Sequence, residues 1–337
     1  QSLLPFEKHL QHVKITNNTE QLKQFLFQEA ELSEFDRIDW HNQVLNPKSD
    51  YDNIAQWLFT VSSLNFCFWH PDNTAYKLEL NGKIYSGYWA LAAAIERGRQ
   101  LHINLLDNNY VCSQQFTFEK LKLCFIDDGQ KECPQLQKRY QILKESAYVV
   151  KSKFQSVDQL IRESNHSALR LLNLIVENFQ SFQDQFSISL QKDFNQQKKF
   201  VKGQTDLKFF KRAQIFIAEL FYSAYDYKFT DIDQLTIFAD YRIPQMLCQF
   251  KVIQYSDQLL EMLKDPKHLL EAGSQLECEI RAASILAVYK LSQETGMKQI
   301  MIDFLLWNLF KKIQAGSLES LFGGTEVPMH RVIGWFY

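Results

Sequence analysis

Residues 76–95 read YKLELNGKIYSGYWALAAAI. The first ten are the best β signal in the chain. Alternating residues flank Asn81-Gly82, and that dipeptide suits a two-residue type I′ turn because both central positions there need positive φ. The alternation stops at Ser86, which is positioned to cap a helix from about Gly87 to Arg99. Tyr88, Leu91, Ala92 and Ile95 would share one face of that helix. Outward from this stretch the period stays helical. Helices are expected at 19–30, 50–62, 116–127, 135–152, 156–163, 166–179, 206–226, 244–264, 274–293 and 297–314. Residues 191–206 (QKDFNQQKKFVKGQTD) read as a solvated loop. One hairpin among so many helices is too little strand for an α/β sheet. The fold class is therefore mainly α, a single large helical domain over residues 1–337 with a small β-hairpin.

The composition agrees. The 337 residues include only 11 Gly and 7 Pro but 27 Phe, 14 Tyr and 6 Trp, which favours long uninterrupted elements around a large core. Neither GxGxxG nor GxxxxGK[ST] occurs, so the glycine loops of Rossmann and P-loop enzymes are missing. Lys plus Arg number 37 against 39 Asp plus Glu, a formal charge of −2, so no basic face for duplex nucleic acid is implied. Six cysteines without a CxxC pair suggest free buried thiols in a reducing compartment, here the cytoplasm. The polar start shows no signal peptide, and no run of about 18 apolar residues suggests a membrane span. Eight scattered histidines form no HExxH or other metal-ligand pattern.

Chemistry is best sought where ionisable groups interrupt apolar runs, because an unpaired buried charge is costly. In LTIFADYRIPQML (235–247), Pro244 suits the first turn of a new helix, which puts Asp240 at a helix junction. There it either points into a cleft, caps the helix or meets Arg242. In IMIDFLLWNLF (300–310), Asp303 lies over Trp307 and Phe304 over Asn308 on a helix. Asp303 either reads the edge of a planar heterocycle or pairs with an arginine. In KFFKRAQIFIAEL (208–220), Lys211 and Arg212 either hold a phosphate or form a solvated stripe. Glu279 and Arg281 in ECEIRAASI (277–285) suggest an internal ion pair. The tail PMHRVIGWFY (328–337) is bulky and apolar enough to dock in the core.

These segments also fit together in order. LNFCFW (64–69), YSGYWALAAAI (85–95), FKRAQI (210–215), FADYRIPQ (238–245), EIRAASI (279–285), DFLLW (303–307) and PMHRVIGWFY resemble the queuosine salvage proteins, the queuosine 5′-phosphate N-glycosylase/hydrolase family. The resemblance is collinear over nearly the whole chain. It implies a mainly helical fold like that of helix-hairpin-helix DNA glycosylases in outline. It also implies hydrolysis of the N-glycosidic bond of queuosine 5′-monophosphate, releasing queuine for tRNA modification, with no cofactor and no metal.

By the same resemblance Asp240 matches the catalytic aspartate, Phe238 a queuine-contacting residue, and Asp303 an acid that binds the base. Phe304 stands where tyrosine is common and Asn308 where an aspartate is expected. A histidine ahead of an LNP motif corresponds loosely to His41, before Leu45-Asn46-Pro47. Lys211 is the first candidate cation for the 5′-phosphate, with Arg212, Arg242 and Arg281 behind it, and Phe238 or Trp307 could sandwich the base. The expected partner is this small nucleotide; no stable nucleic-acid binding and no membrane are expected. A base glycosylase acting on DNA or RNA, and a non-catalytic nucleoside-binding or tRNA-associated protein, are the alternatives.

Overall fold

The computed structural model describes residues 3–32, 40, 43–47, 53–127, 129, 131–189, 204–265, 267–314 and 327–337. Helices dominate it, and strands occur only as short antiparallel pairs. The chain forms two compact units: Gln1–Glu34, Asp184–Lys211 and Leu235–Ile333 make the first, and Phe35–Gln183, Arg212–Gln234 and Gly334–Tyr337 the second. Neither is one continuous stretch, which is why the sequence shows no linker between them.

In the first unit the helix Gln275–Thr295 is buried without a break from Glu277 to Val288. A helix enclosed all round is a core element rather than an amphipathic cover. Ser274 accepts the amide of Glu277 at its start, and Gly296, at φ 73°, ends it in the left-handed conformation. The tail up to Ile333 docks here: Leu270 donates its amide to the Arg331 carbonyl at 2.8 Å, and His330 and Val332 are buried.

Two expected helices that include residues of this unit are broken. The span 244–264 holds a helix Arg242–Gln249, a strand Ile253–Tyr255 and a second helix Asp257–Lys264. Lys251 turns the chain at φ 59°, and the β-branched pair Val252-Ile253 then runs extended, Ile253 lying opposite Ile15 in an antiparallel pair with Val13–Ile15. The span 206–226 begins with a strand, Gln204–Lys208, paired to Gln185–Ser189, and becomes helical only at Lys211. The partner strand lies about twenty residues upstream, beyond the reach of a local periodicity. Most of the expected loop 191–206 lies outside the described residues, and its last residues belong to that strand.

In the second unit the helix Ile54–Leu64 is buried at every position, and Asn53 caps it by accepting the Gln56 amide at 3.1 Å. Phe59 packs against Phe179, Phe182 and Phe216 with centroids 5.0, 5.6 and 5.3 Å away. The hairpin Lys77–Leu80 with Lys83–Ser86 forms as expected, Asn81 and Gly82 both at positive φ. Ser86 is not the helix cap, however: it closes the ladder opposite Lys77, and Gly87, at φ 58°, turns the chain into the helix Tyr88–Gln100. All six cysteines are free thiols, four of them buried.

Candidate active site

The segment Leu235–Asp240 belongs to no helix or strand, yet Leu235, Ile237, Phe238 and Ala239 are buried. Buried backbone without a ladder must find partners among side chains. Two ionisable side chains supply them, and a third, the segment's own Asp240, holds the turn that follows, all in the first unit. Asp303 Oδ2 accepts the Phe238 amide at 2.8 Å. Arg281 Nε donates to the Ala239 carbonyl at 2.9 Å. Asp240 Oδ1 accepts the amides of Arg242 and Ile243 at 2.8 and 3.1 Å, capping the helix Arg242–Gln249 from two residues before its start. Pro244 falls in the first turn of that helix, where its missing amide costs no hydrogen bond.

Each of the two acids thus has one oxygen tied to backbone. Among the described residues the other oxygen, Oδ2 of Asp240 and Oδ1 of Asp303, accepts no hydrogen bond. Asp240 is half-buried and Asp303 is buried. Burial, and next the nearby Asp240, push the Asp303 carboxyl well above the ordinary carboxylate range; the Phe238 amide and the Lys211 charge pull the other way. Asp303 is therefore biased towards its protonated form, which offers a donor as well as an acceptor. An ionised carboxylate would offer acceptors alone.

Lys211 opens the helix Lys211–Tyr222, is buried, and donates its amide to Asp184 Oδ2 at 3.3 Å. Its charge is close enough to act on Asp303. Phe238 meets Phe304 edge-on, centroids 5.8 Å apart at 78°. Trp307 is half-buried and has one face under Lys311, whose Nζ sits 3.9 Å from the ring centroid. Asn308 is exposed and lies about 140° around the helix from Asp303, so the two are not brought together. His41 lies outside the described residues.

The reserve cations divide. Arg281 is fully buried: its Nη atoms meet both oxygens of Asp184 at 2.8 and 2.5 Å and Glu277 at 3.3 Å, and it lies 4.0 Å over the Phe209 ring. The expected ion pair with Glu279 does not form. Glu279 instead accepts the amides of Gln11 and His12 at 2.8 and 2.7 Å. Arg212, buried in the second unit, donates to the carbonyls of Ser63 and Ser181 and stacks over Phe66 and Phe182. Arg242 is half-buried, bonds to Gln245 at 2.9 Å and lies 4.2 Å over the Phe310 ring.

A family model described as queuosine salvage protein matches residues 45–337. A relative from Nematostella vectensis named queuosine 5′-phosphate N-glycosylase/hydrolase is 31% identical over 340 residues, covering 93% of this chain and 90% of its own. Relatives of the same name from Schizosaccharomyces pombe and Mus musculus are each 31% identical, covering 89% and 87% of this chain and 87% and 85% of theirs. The chain belongs to the queuosine salvage protein family.

In this queuosine salvage protein two functional-looking acids escaped the sequence reading. Asp184 sits in a glutamine-rich polar stretch, SFQDQF, with nothing local to mark it. Glu219 is the lone acid in IFIAELFY and had the signal of the other candidates, an ionisable group in an apolar run. It is buried in the second unit, takes hydrogen bonds from Ser62 Oγ at 3.4 Å and from Tyr88, and meets no cation among the described residues. Burial pushes its carboxyl up to about 8. No group of three His, Cys, Asp or Glu that could hold a metal occurs among the described residues, and no helix there is long and apolar enough to cross a membrane.

Proposed function

We infer that this chain is an N-glycosyl hydrolase that cleaves the bond between ribose and base in queuosine 5′-monophosphate and releases queuine. The observation that carries the reading is the Asp240 carboxylate, one oxygen fixed by two backbone amides and the other accepting no hydrogen bond among the described residues, beside a second, buried acid. It is supported by family membership and by the names of the relatives.

N-glycoside cleavage passes through a state with positive charge at the anomeric carbon, and a fixed carboxylate in a water-poor site stabilises that charge. Asp240 Oδ2 faces that carbon and orients the attacking water. The water oxygen bonds to the anomeric carbon, its proton passes to Asp240, and the base leaves with the electrons of the broken C–N bond. Queuine is a 7-deazaguanine and has no N7 to protonate, so help for the leaving group comes through its other ring atoms. Asp303, biased towards its acid form, gives the guanine-like edge one donor and one acceptor. Phe238, with Phe304 edge-on behind it, forms a wall for the planar base, and Trp307 offers a second ring. Lys211 supplies the cation for the 5′-phosphate. The substrate is a free nucleotide rather than a base flipped from a polymer: 37 cations against 39 acids leave no excess charge to hold a phosphate backbone.

The test is incubation with queuosine 5′-monophosphate, queuosine and guanosine 5′-monophosphate, followed by chromatography for free base. Queuine from the first alone is the expected result. Release of no base from any of them would leave a nucleoside-binding protein, and salt-dependent binding of an oligonucleotide would favour a polymer glycosylase.

A further inference from the structure

The loop that carries Asp240 has no secondary structure to hold it, so its precision must come from elsewhere. Arg281 is the only side chain that reaches its backbone from the core helix Gln275–Thr295 among the described hydrogen bonds. It uses Nε for the Ala239 carbonyl, one residue before Asp240, and its two Nη atoms for both oxygens of Asp184. The guanidinium is planar, so fixing its Nη edge on Asp184 also fixes the direction of Nε–H. Asp184 also holds the start of the next helix. Its Oδ2 accepts the amide of Lys211, and its own carbonyl accepts the amides of Phe209 and Phe210 at 2.9 and 3.2 Å. Glu277, one turn back on the helix, touches the same guanidinium but neither the 238–240 segment nor Lys211.

We propose that Arg281 is a positioning residue for Asp240, aimed by Asp184, so that one buried guanidinium–carboxylate pair sets both the acid and the first cation of the site. This rests on the assignment of Asp240 made above. The pair never meets substrate: Arg281 is fully buried and Asp184 is 2% exposed. It acts through the Ala239–Asp240 peptide and through the Lys211 amide. Arg281 is thereby removed from the phosphate-binding candidates.

The experiment compares kcat and KM for queuosine 5′-monophosphate, with the unfolding temperature, in the wild type, Arg281→Lys and Glu277→Gln. Lysine keeps the charge opposite Asp184 but has one nitrogen, which cannot serve Asp184 and the Ala239 carbonyl in fixed geometry. Displacing a reacting group by on the order of 1 Å can cost about a hundredfold in rate, so Arg281→Lys should lose kcat on that scale. Its KM should stay within about threefold, because the ground-state contacts to substrate are untouched. Glu277→Gln leaves the bonds to Asp184 and Ala239 and should keep near-wild-type kcat. If Arg281→Lys fails to fold, Asp184→Asn replaces it, with the same fall in kcat and a raised KM through Lys211. Wild-type kcat in Arg281→Lys, or in Asp184→Asn where that stands in, overturns the proposal. So does a fall in kcat that Glu277→Gln shares in proportion to lost stability. Failure of the underlying assignment looks different: Asp240→Asn would turn over like the wild type whatever Arg281→Lys does.

Discussion

Replacing Glu219 by glutamine should make the protein more stable at neutral pH and less stable in acid. The residue is 9% exposed, and its carboxyl accepts hydrogen bonds from Ser62 and Tyr88 and has no cation beside it among the described residues. Burial raises it from the ordinary 4.5 to about 8. The folded state therefore holds a proton over a range in which the unfolded chain has lost it. Unfolding then releases a proton, so stability falls as pH rises from about 4.5 and levels off above about 8. At pH 7 the gap from 4.5 is 2.5 pH units, and at 1.36 kcal/mol each this destabilises the wild type by about 3 kcal/mol. Glutamine does not titrate and keeps an acceptor oxygen for Ser62 and Tyr88. Its amide brings one extra donor into the same space, at a cost of about 1 kcal/mol. The variant should thus be about 1 kcal/mol less stable than wild type near pH 4 and about 2 kcal/mol more stable near pH 7, with curves that cross just above pH 5. Urea unfolding at pH 4, 5, 6, 7 and 8, followed by tryptophan fluorescence, suits the question, because Trp40, Trp57, Trp69, Trp89 and Trp335 all lie in the same unit as Glu219. Taking the difference between the two proteins cancels every other titration. Parallel curves, or a wild type that gains on the variant as pH rises, would refute the reasoning.

Asp240→Asn keeps the oxygen that accepts the Arg242 and Ile243 amides, so its unfolding temperature should hold while queuine release falls by about a thousandfold, the scale of a lost charge-stabilising group. Equal loss of folding and activity would mean that the residue is only a cap. Asp303→Asn keeps the acceptor for the Phe238 amide but cannot ionise. Because the Asp303 pKa is raised, the wild type keeps the acid form at low pH and loses it as pH climbs, so its kcat should decline on the alkaline side, and the variant should lack that decline. An unchanged pH profile in the variant would remove Asp303 from the proton account. Phe304→Tyr adds a hydroxyl beside Phe238 and should lower KM, whereas Asn308→Asp changes an exposed position and should leave kcat and KM as they are; steady-state kinetics separate the two.

What the sequence determined by itself is what neighbouring residues decide. Asn81-Gly82 formed its turn because positive φ is a property of those two residues. The helices 54–64 and 275–295 arose where few breakers interrupted an apolar run, with Asn53 and Ser274 as caps. Pro244 put Asp240 at a junction, and eleven residues with only two polar ones marked Asp303 as buried. Tertiary structure alone decided what each charge does. Arg281 looked like the partner of Glu279 or a phosphate ligand, yet it grips Asp184, 97 residues away, and the Ala239 carbonyl, 42 away. Arg212, adjacent to Lys211, went to carbonyls of Ser63 and Ser181. Asn308 shares a helix with Asp303 but faces solvent. The reason is range. Turn and helix preferences are settled within about four residues, whereas a buried charge is stable only beside the group that compensates it, and that group can come from anywhere along the chain.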